Sequence, residues 1–166
     1  MTLGWAAIIH FTEEDRAAAR ACSIKMIQTA RSRDHFGQDS PQSHYHGALG
    51  EIAFSRFLRI PWKCHPGEGS RPDVAGYEVR ANGPSVPRPY IKSKANDQAS
   101  RIVLVLIAAS RDHAEASGII AGWMPTDEVR TRAGRRTDPG ARGAPAWMLY
   151  DLSHLRTTFP EVDHRG

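Results

Sequence analysis

Cysteine is scarce in this chain. Among its 166 residues there are only two, Cys22 and Cys64, and neither belongs to a Cys-x-x-Cys pair. Two cysteines are too few for the disulfide framework that stabilises small secreted domains. We therefore expect a protein of a reducing, cytoplasmic compartment.

Long apolar runs are also missing. No stretch of 18 apolar residues occurs, so we expect no transmembrane helix and no membrane partner. The first five residues lack the basic region of a signal peptide. With 40% hydrophobic and 24% charged residues, the composition is that of a soluble globular protein, and the length predicts a single domain over residues 1–166.

Lysine is the scarce basic residue, with four among 22 lysines and arginines. The net charge of +4 and a pI near 9.4 favour a polyanionic partner. Arginine suits bidentate contacts with phosphate, although a GC-rich genome also enriches arginine. The charge alone therefore leaves nucleic-acid binding open.

Two helices are predicted in the first half of the chain. Thr12, followed three residues later by Asp15, is a helix start, and the apolar period then predicts an amphipathic helix over about 13–32. Residues 34–45 lack periodicity and are predicted to form a loop. A second helix is predicted over about 46–59.

One acidic residue of the second predicted helix has an unusual position. Its apolar face includes Gly47, Gly50, Phe54 and Leu58, and Glu51 lies at the edge of that face. A carboxylate half-turned into a core requires a partner. That partner is either an arginine or the acidic hairpin described next, and glycines that permit close backbone approach favour the hairpin.

Residues 71–80 predict a β-hairpin. Apolar and aromatic residues flank a two-residue turn, Ala75-Gly76, which pairs Val74 with Tyr77. In this register Asp73 lies opposite Glu78, with Cβ atoms about 5 Å apart. A slip by one residue would turn Glu78 away, and Ala-Gly is a poorer turn sequence than Asn-Gly.

The hairpin predicts an acidic face. Alternation puts Glu78 and Arg80 on one face and Tyr77, Val79 and Ala81 on the other. Two close carboxylates repel each other unless a cation or a shared proton relieves them. The pattern is that of a divalent-metal site beside a phosphate-binding cation; an exposed hairpin with polar residues facing water is the alternative.

The second half of the chain predicts three further strands and a basic segment. Tyr90 to Lys94 forms a strand with Lys92 and Lys94 on one face; residues 101–108 form a strand buried on both faces, and residues 118–124 form another. Thr126 is the predicted N-cap of a short helix. Residues 130–143 are basic, and their candidate phosphate-binding side chains are Arg130, Arg132, Arg135 and Arg136; a solvated loop is the alternative.

The helix bearing Glu51, the Pro72-Asp73 pair and the Glu78-Val79-Arg80 triplet together resemble the PD-(D/E)XK nuclease superfamily. The lysine-bearing strand, the apolar strand and the strand end at Gly122-Trp123 that follow are similar to its small phage-type members. The resemblance covers about residues 46–125. It implies a restriction-endonuclease-like α/β fold, with a central mixed sheet of about five strands flanked by helices. It also implies hydrolysis of DNA phosphodiester bonds; RNA as substrate, endonuclease or exonuclease action, and a homodimer stay open.

By this resemblance, Mg²⁺ or Mn²⁺ is held by Asp73, Glu78, the Val79 carbonyl and Glu51, the last directly or through water. The family usually has lysine where this chain has Arg80. Arginine stays protonated and cannot be a general base, but it can bind the phosphate, while Lys92 or Lys94 could supply an ammonium group. The alternatives are a catalytically inactive nucleic-acid-binding or assembly protein of the same fold, and a zinc site at His44 and His46.

Overall fold

The computed structural model describes residues 7–32, 40–66, 72–87, 89–94, 97–131, 142–145, 149–150 and 152. In chain order the elements are β1 (Ala7–His10), α1 (Glu13–Ser32), α2 (Pro41–Phe57), β2 (Tyr77–Asn82), β3 (Tyr90–Ser93), β4 (Arg101–Ala108), β5 (Ser117–Pro125), α3 (Thr126–Thr131) and β6 (Arg142–Pro145). No helix within these ranges combines the length and the apolar character that crossing a membrane requires.

Helix α1 begins at the predicted place because two side chains satisfy its first backbone groups. Thr12 Oγ1 accepts the Asp15 N–H at 3.2 Å, and Asp15 Oδ2 accepts the Thr12 N–H at 2.7 Å. This reciprocal pair is a capping box with aspartate at the third position. The prediction of a helix over 13–32 is confirmed.

Helix α2 begins five residues earlier than predicted. Ser40 is its N-cap, with the side chain accepting the Ser43 N–H, and Pro41 occupies the first turn, where its missing N–H costs nothing. The predicted loop over 34–45 is therefore wrong for residues 41–45. The helix ends at Phe57, and Arg59 follows with a φ of +57°, in the left-handed region that stops helices.

The central sheet is mixed and has four strands in the order β1-β5-β4-β2. Strand β2 runs parallel to β4, whereas β4 and β1 both run antiparallel to β5. A mixed α/β fold is confirmed, but β3 does not join this sheet and pairs with β6 in a separate two-stranded sheet. Prolines in the loop before β3 have no N–H to donate to a ladder, and side-chain hydrogen bonds connect the two strands instead: Asn82 accepts the Tyr90 N–H at 2.8 Å and Arg80 donates to the Lys92 carbonyl.

Strand β4 is buried on both faces, as its unbroken apolar run predicts. One face contributes Val103, Val105 and Ile107 to a core shared with α1 and α2. The other contributes Ile102 and Leu104 to a smaller core that contains residues of β3, β5 and α3. The central position of β4 fixes β2 beside it, and β2 becomes the edge of the four-stranded sheet among the described residues.

Two local predictions need correction. Thr126 does not cap α3 from outside: it is the first helical residue, and its hydroxyl donates to the Ala99 carbonyl at 2.6 Å. Cys22 and Cys64 form a disulfide, with Cα atoms 5.7 Å apart, that joins α1 to the segment after α2. The spacing of two cysteines does not predict such a bond, because the contact arises from the packing of α1 against α2. The cytoplasmic compartment stays a prediction.

Candidate functional site

The hairpin forms in the predicted register. Val74 and Tyr77 pair through two backbone hydrogen bonds of 3.1 and 2.8 Å, and Ala75 and Gly76 make the two-residue turn. Both turn residues have positive φ, +48° and +83°, which is the conformation of a type I′ turn. The left-handed conformation at Ala75 costs about 1 kcal/mol, so the flanking contacts must over-determine it.

Asp73 reaches across this turn to the second strand. Its Oδ2 accepts the Val79 N–H at 2.8 Å, which fixes the carboxylate beside the start of β2. The predicted alternation of β2 is also confirmed: Tyr77 and Val79 are buried in the larger core, whereas Glu78 and Arg80 contact each other on the opposite face. The acid, acid, base face expected from the sequence therefore exists.

Glu51 belongs to the same electrostatic cluster. Burial, followed by the negative charge of Asp73, raises its pKa from 4.5 to about 8, against a hydrogen bond from Trp62 that favours the ionised form. The Trp62 Nε1–H donates to Glu51 Oε2 at 3.0 Å. Glu78 and Arg80 also act on this carboxyl group, in opposite directions. The direct partner of Glu51 is thus Trp62, which neither sequence-based alternative named, while Asp73 and Glu78 act on Glu51 through their charges.

Close backbone approach, expected at both glycines of the α2 face beside Glu51, occurs at one of them. A Cβ at Gly50 would lie 3.0 Å from the Ala81 Cβ, so the absence of a side chain lets α2 approach β2 closely. A Cβ at Gly47 would meet no atom within 4 Å. Gly47 lies one turn before Glu51, so it leaves open space rather than a close contact on that side of the acid.

The pKa values of both hairpin acids, Asp73 and Glu78, are raised, so their ionised forms are disfavoured. Burial first, and then the charge of Asp73, raises the pKa of Glu78 to about 7. The pKa of Asp73 is also raised by burial, although its bond from Val79 and the charge of Arg80 oppose the shift. Buried Glu78 and half-buried Glu51 and Asp73 therefore lack enough nearby positive charge to favour their ionised forms.

Arg80 places a positive charge beside Asp73 and Glu78. Its Nη1 lies 3.2 Å from Glu78 Oε2, 3.7 Å from Asp73 Oδ2 and 3.4 Å from the Val79 carbonyl oxygen. Burial works against the charged guanidinium, but the carboxylates around it outweigh this cost and raise the pKa of Arg80 further.

A fourth carboxylate, Asp97, holds the far side of Arg80. Its Oδ1 lies 2.5 Å from Arg80 Nη2, and its Oδ2 accepts the Lys94 N–H at 2.7 Å. The Asp97 side chain is only 4% exposed. Sequence reasoning missed this residue, because it lies in a polar connection without periodicity; the one local signal is an aspartate three residues after Lys94, a spacing at which the side chain can accept a backbone N–H.

The two lysines contribute backbone atoms to this arrangement. The Lys92 carbonyl accepts the Arg80 Nε–H at 3.2 Å, and the exposed Lys94 presents its N–H to Asp97. Strand β3 therefore contacts the site, although it lies outside the central sheet. The catalytic role expected of Lys92 and the nucleic-acid contact expected of Lys94 stay predictions.

Arg130 supports the segment that presents Asp97. Its Nε–H donates to Ser93 Oγ at 3.2 Å and its Nη2 to the Asp97 carbonyl at 2.9 Å. Its predicted phosphate contact stays a prediction. The other candidate arginines, Arg132, Arg135 and Arg136, lie outside the described residues.

The histidine alternative receives no support from the contacts of His46. Its Nε2 is shared between Gln42 at 2.9 Å and Glu115 at 3.4 Å, and its ring packs where a Gly83 side chain would be. Across the described ranges, no group of three histidine, cysteine, aspartate or glutamate side chains is arranged so that it could hold a metal ion.

The same finding applies to Glu51, Asp73 and Glu78 in their present arrangement, but the chemistry of the donors around Arg80 suits one kind of metal. Carboxylates of Asp73, Glu78 and Glu51 and the Val79 carbonyl are all oxygen ligands, which hard cations such as Mg²⁺ and Mn²⁺ prefer. Their raised pKa values mark a place where added positive charge is favourable. In the present arrangement the guanidinium of Arg80 provides that charge.

Comparison of the chain with protein-family models, with curated proteins and with solved structures found no match.

Proposed function

We propose that this protein is a divalent-metal-dependent nuclease that hydrolyses phosphodiester bonds, with DNA as its substrate. The observation that carries the proposal is the electrostatic interaction of Glu51, on a helix, with Asp73 and Glu78 of the hairpin, in a place that favours added positive charge. A pair of acids on a hairpin alone is common, whereas a third acid from a different element adds an oxygen donor of the kind that hard cations prefer.

In this proposal Asp73, Glu78 and the Val79 carbonyl hold the cation, and Glu51 completes its surroundings. When bound, Mg²⁺ or Mn²⁺ would supply an activated water and stabilise the leaving oxygen. Asp73 also fixes the hairpin by accepting the Val79 N–H. Arg80, which stays protonated, binds the phosphate and stabilises its negative charge rather than removing a proton.

The test is cleavage of plasmid and linear DNA by the purified protein with Mg²⁺, with Mn²⁺ and with chelator. We expect metal-dependent cleavage that Glu78→Gln reduces at least a hundredfold, because a neutral amide keeps the shape but loses a charged ligand. The matched control is Glu14→Gln, an exposed glutamate of α1 that should cleave like the natural protein. Equal cleavage by both variants, or cleavage that survives the chelator, would contradict the proposal.

A second candidate is a nucleic-acid-binding or assembly protein that retains these acids without catalysis. The position of Arg80 Nη1 among Asp73, Glu78 and the Val79 carbonyl favours it, because a guanidinium can neutralise buried carboxylates permanently. This candidate predicts DNA binding that is insensitive to metal and chelator, with no cleavage.

A further inference from the structure

The Arg80 guanidinium faces the same oxygen groups that the proposed metal needs. Its Nη1 is within 3.7 Å of an oxygen of Asp73, of Glu78 and of the Val79 backbone. A divalent ion of the magnesium type binds oxygen at about 2.0–2.1 Å and requires those lone pairs for itself. The guanidinium and the metal therefore cannot both use this set of oxygens at full strength.

The opposite side of the guanidinium is held by atoms that the metal does not use. Nη2 contacts Asp97 of the β3–β4 connection and Nε donates to the Lys92 carbonyl of β3, so two of the three nitrogens are held outside the hairpin. Asp97 is in turn fixed by the Lys94 N–H, and its carbonyl accepts from Arg130. The guanidinium is thus shared between the hairpin acids, which face Nη1, and a second set of acceptors, which face Nη2 and Nε.

We propose that Arg80 is a built-in cation that competes with the divalent metal for Asp73 and Glu78, and that Asp97 is a positioning residue that shares the guanidinium with them and so limits this competition. This inference rests on the proposed function, because it concerns the metal of that site. It assigns to Arg80 and Asp97 the control of how tightly the metal binds, separately from any contact with phosphate. A protein built this way requires a higher metal concentration than its carboxylates alone would.

The first measurement is Mn²⁺ affinity by calorimetry, without nucleic acid. Arg80→Gln, which removes the charge and keeps polar atoms, should bind Mn²⁺ at least tenfold more tightly than the natural protein. The matched control, Arg111→Ala, removes an exposed arginine from the β4–β5 turn and should leave the affinity unchanged. Equal or weaker binding by Arg80→Gln, or no binding by either protein, overturns the inference.

A double substitution distinguishes an effect of Asp97 through Arg80 from a direct effect of its negative charge on metal binding. Asp97→Asn alone should weaken Mn²⁺ binding several-fold, because Arg80 then pairs more fully with the hairpin acids. In Arg80→Gln/Asp97→Asn the second change should have no further effect if Asp97 acts through Arg80. A loss of the same size in both backgrounds would show that Asp97 acts by its charge alone.

A third measurement requires no substitution, so it stands even if the variants fail to fold. Addition of Mg²⁺ should shift the NMR signal of the Arg80 Nε–H and leave that of Arg111 in place. Bound Mg²⁺ without a change at Arg80 overturns the competition. Cleavage assays distinguish the two proposals: metal binding with competition but without cleavage would contradict only the nuclease, and cleavage without competition would contradict only this inference.

Discussion

Glu51 and Glu78 are the individual residues that should dominate the pH response of this protein. Their pKa values in the folded chain are about 8 and about 7, above the ordinary 4.5. Between pH 4.5 and these raised values, the folded state holds protons that the unfolded state has released. The stability that these groups contribute is therefore complete below about pH 4.5. It is lost as the pH rises through 7 and 8.

We therefore predict that Glu51→Gln flattens this dependence. The free energy of unfolding of the natural protein should fall between pH 5 and pH 9, with a contribution from Glu51 on the order of a few kcal/mol, whereas the variant should lose much less. Urea unfolding at both pH values measures the difference. Glu14→Gln should keep the natural slope, and a Glu51→Gln slope equal to the natural one would contradict the assigned burial of this carboxyl group.

Two glycines of helix α2, Gly47 and Gly50, allow the packing of this helix against the sheet to be tested. Gly50→Ala places a methyl group 3.0 Å from the Ala81 Cβ, and we expect it to lower stability by about 1 kcal/mol or more. Gly47→Ala meets open space on the same helix and should raise stability by about 0.5–1 kcal/mol, because alanine is the better helix former. Thermal unfolding of both variants checks the pair; the same sign for both would contradict the packing described here.

The elements that the sequence predicts well are those defined by local chemistry. The Val74–Tyr77 pair and the capping box of Thr12 depend on neighbouring residues, and both form as expected. The early start of α2 was missed because Ser40-Pro41 lies within a polar stretch, where turn and helix-start signals use the same residues. The separate pairing of β3 depends on β6, about 50 residues further along the chain, and no local pattern contains it.

The candidate site divides in the same way. Glu78 and Arg80 follow from alternation along one strand, Asp73 follows from the register of the hairpin, and Glu51 follows from helical periodicity. Asp97 has no such pattern, since its position opposite Arg80 is produced by the docking of the β3–β4 connection. The sequence therefore predicts the place of Arg80 on the acidic face but not its contact with Asp97.

For the molecule as a whole, the Cys22–Cys64 bond closes a loop over a sequence separation of 42 residues that includes all of α2. In the chain-entropy description a loop of this size stabilises the folded state by about 4 kcal/mol. We predict that Cys22→Ser/Cys64→Ser lowers the free energy of unfolding by up to that amount, measured in urea without reductant. The natural protein in strong reductant should match the variant, and a negligible difference between oxidised and reduced protein would contradict the pairing.

The same bond connects the thiol chemistry of the protein to its acidic site. Cys64 is two residues after Trp62, whose indole N–H stabilises the ionised form of Glu51. Reduction of the bond removes a covalent restraint on the segment that presents this indole, and a carboxyl group that loses its donor holds its proton to higher pH. We therefore expect reduction of the protein to raise, and not to lower, the pKa of Glu51.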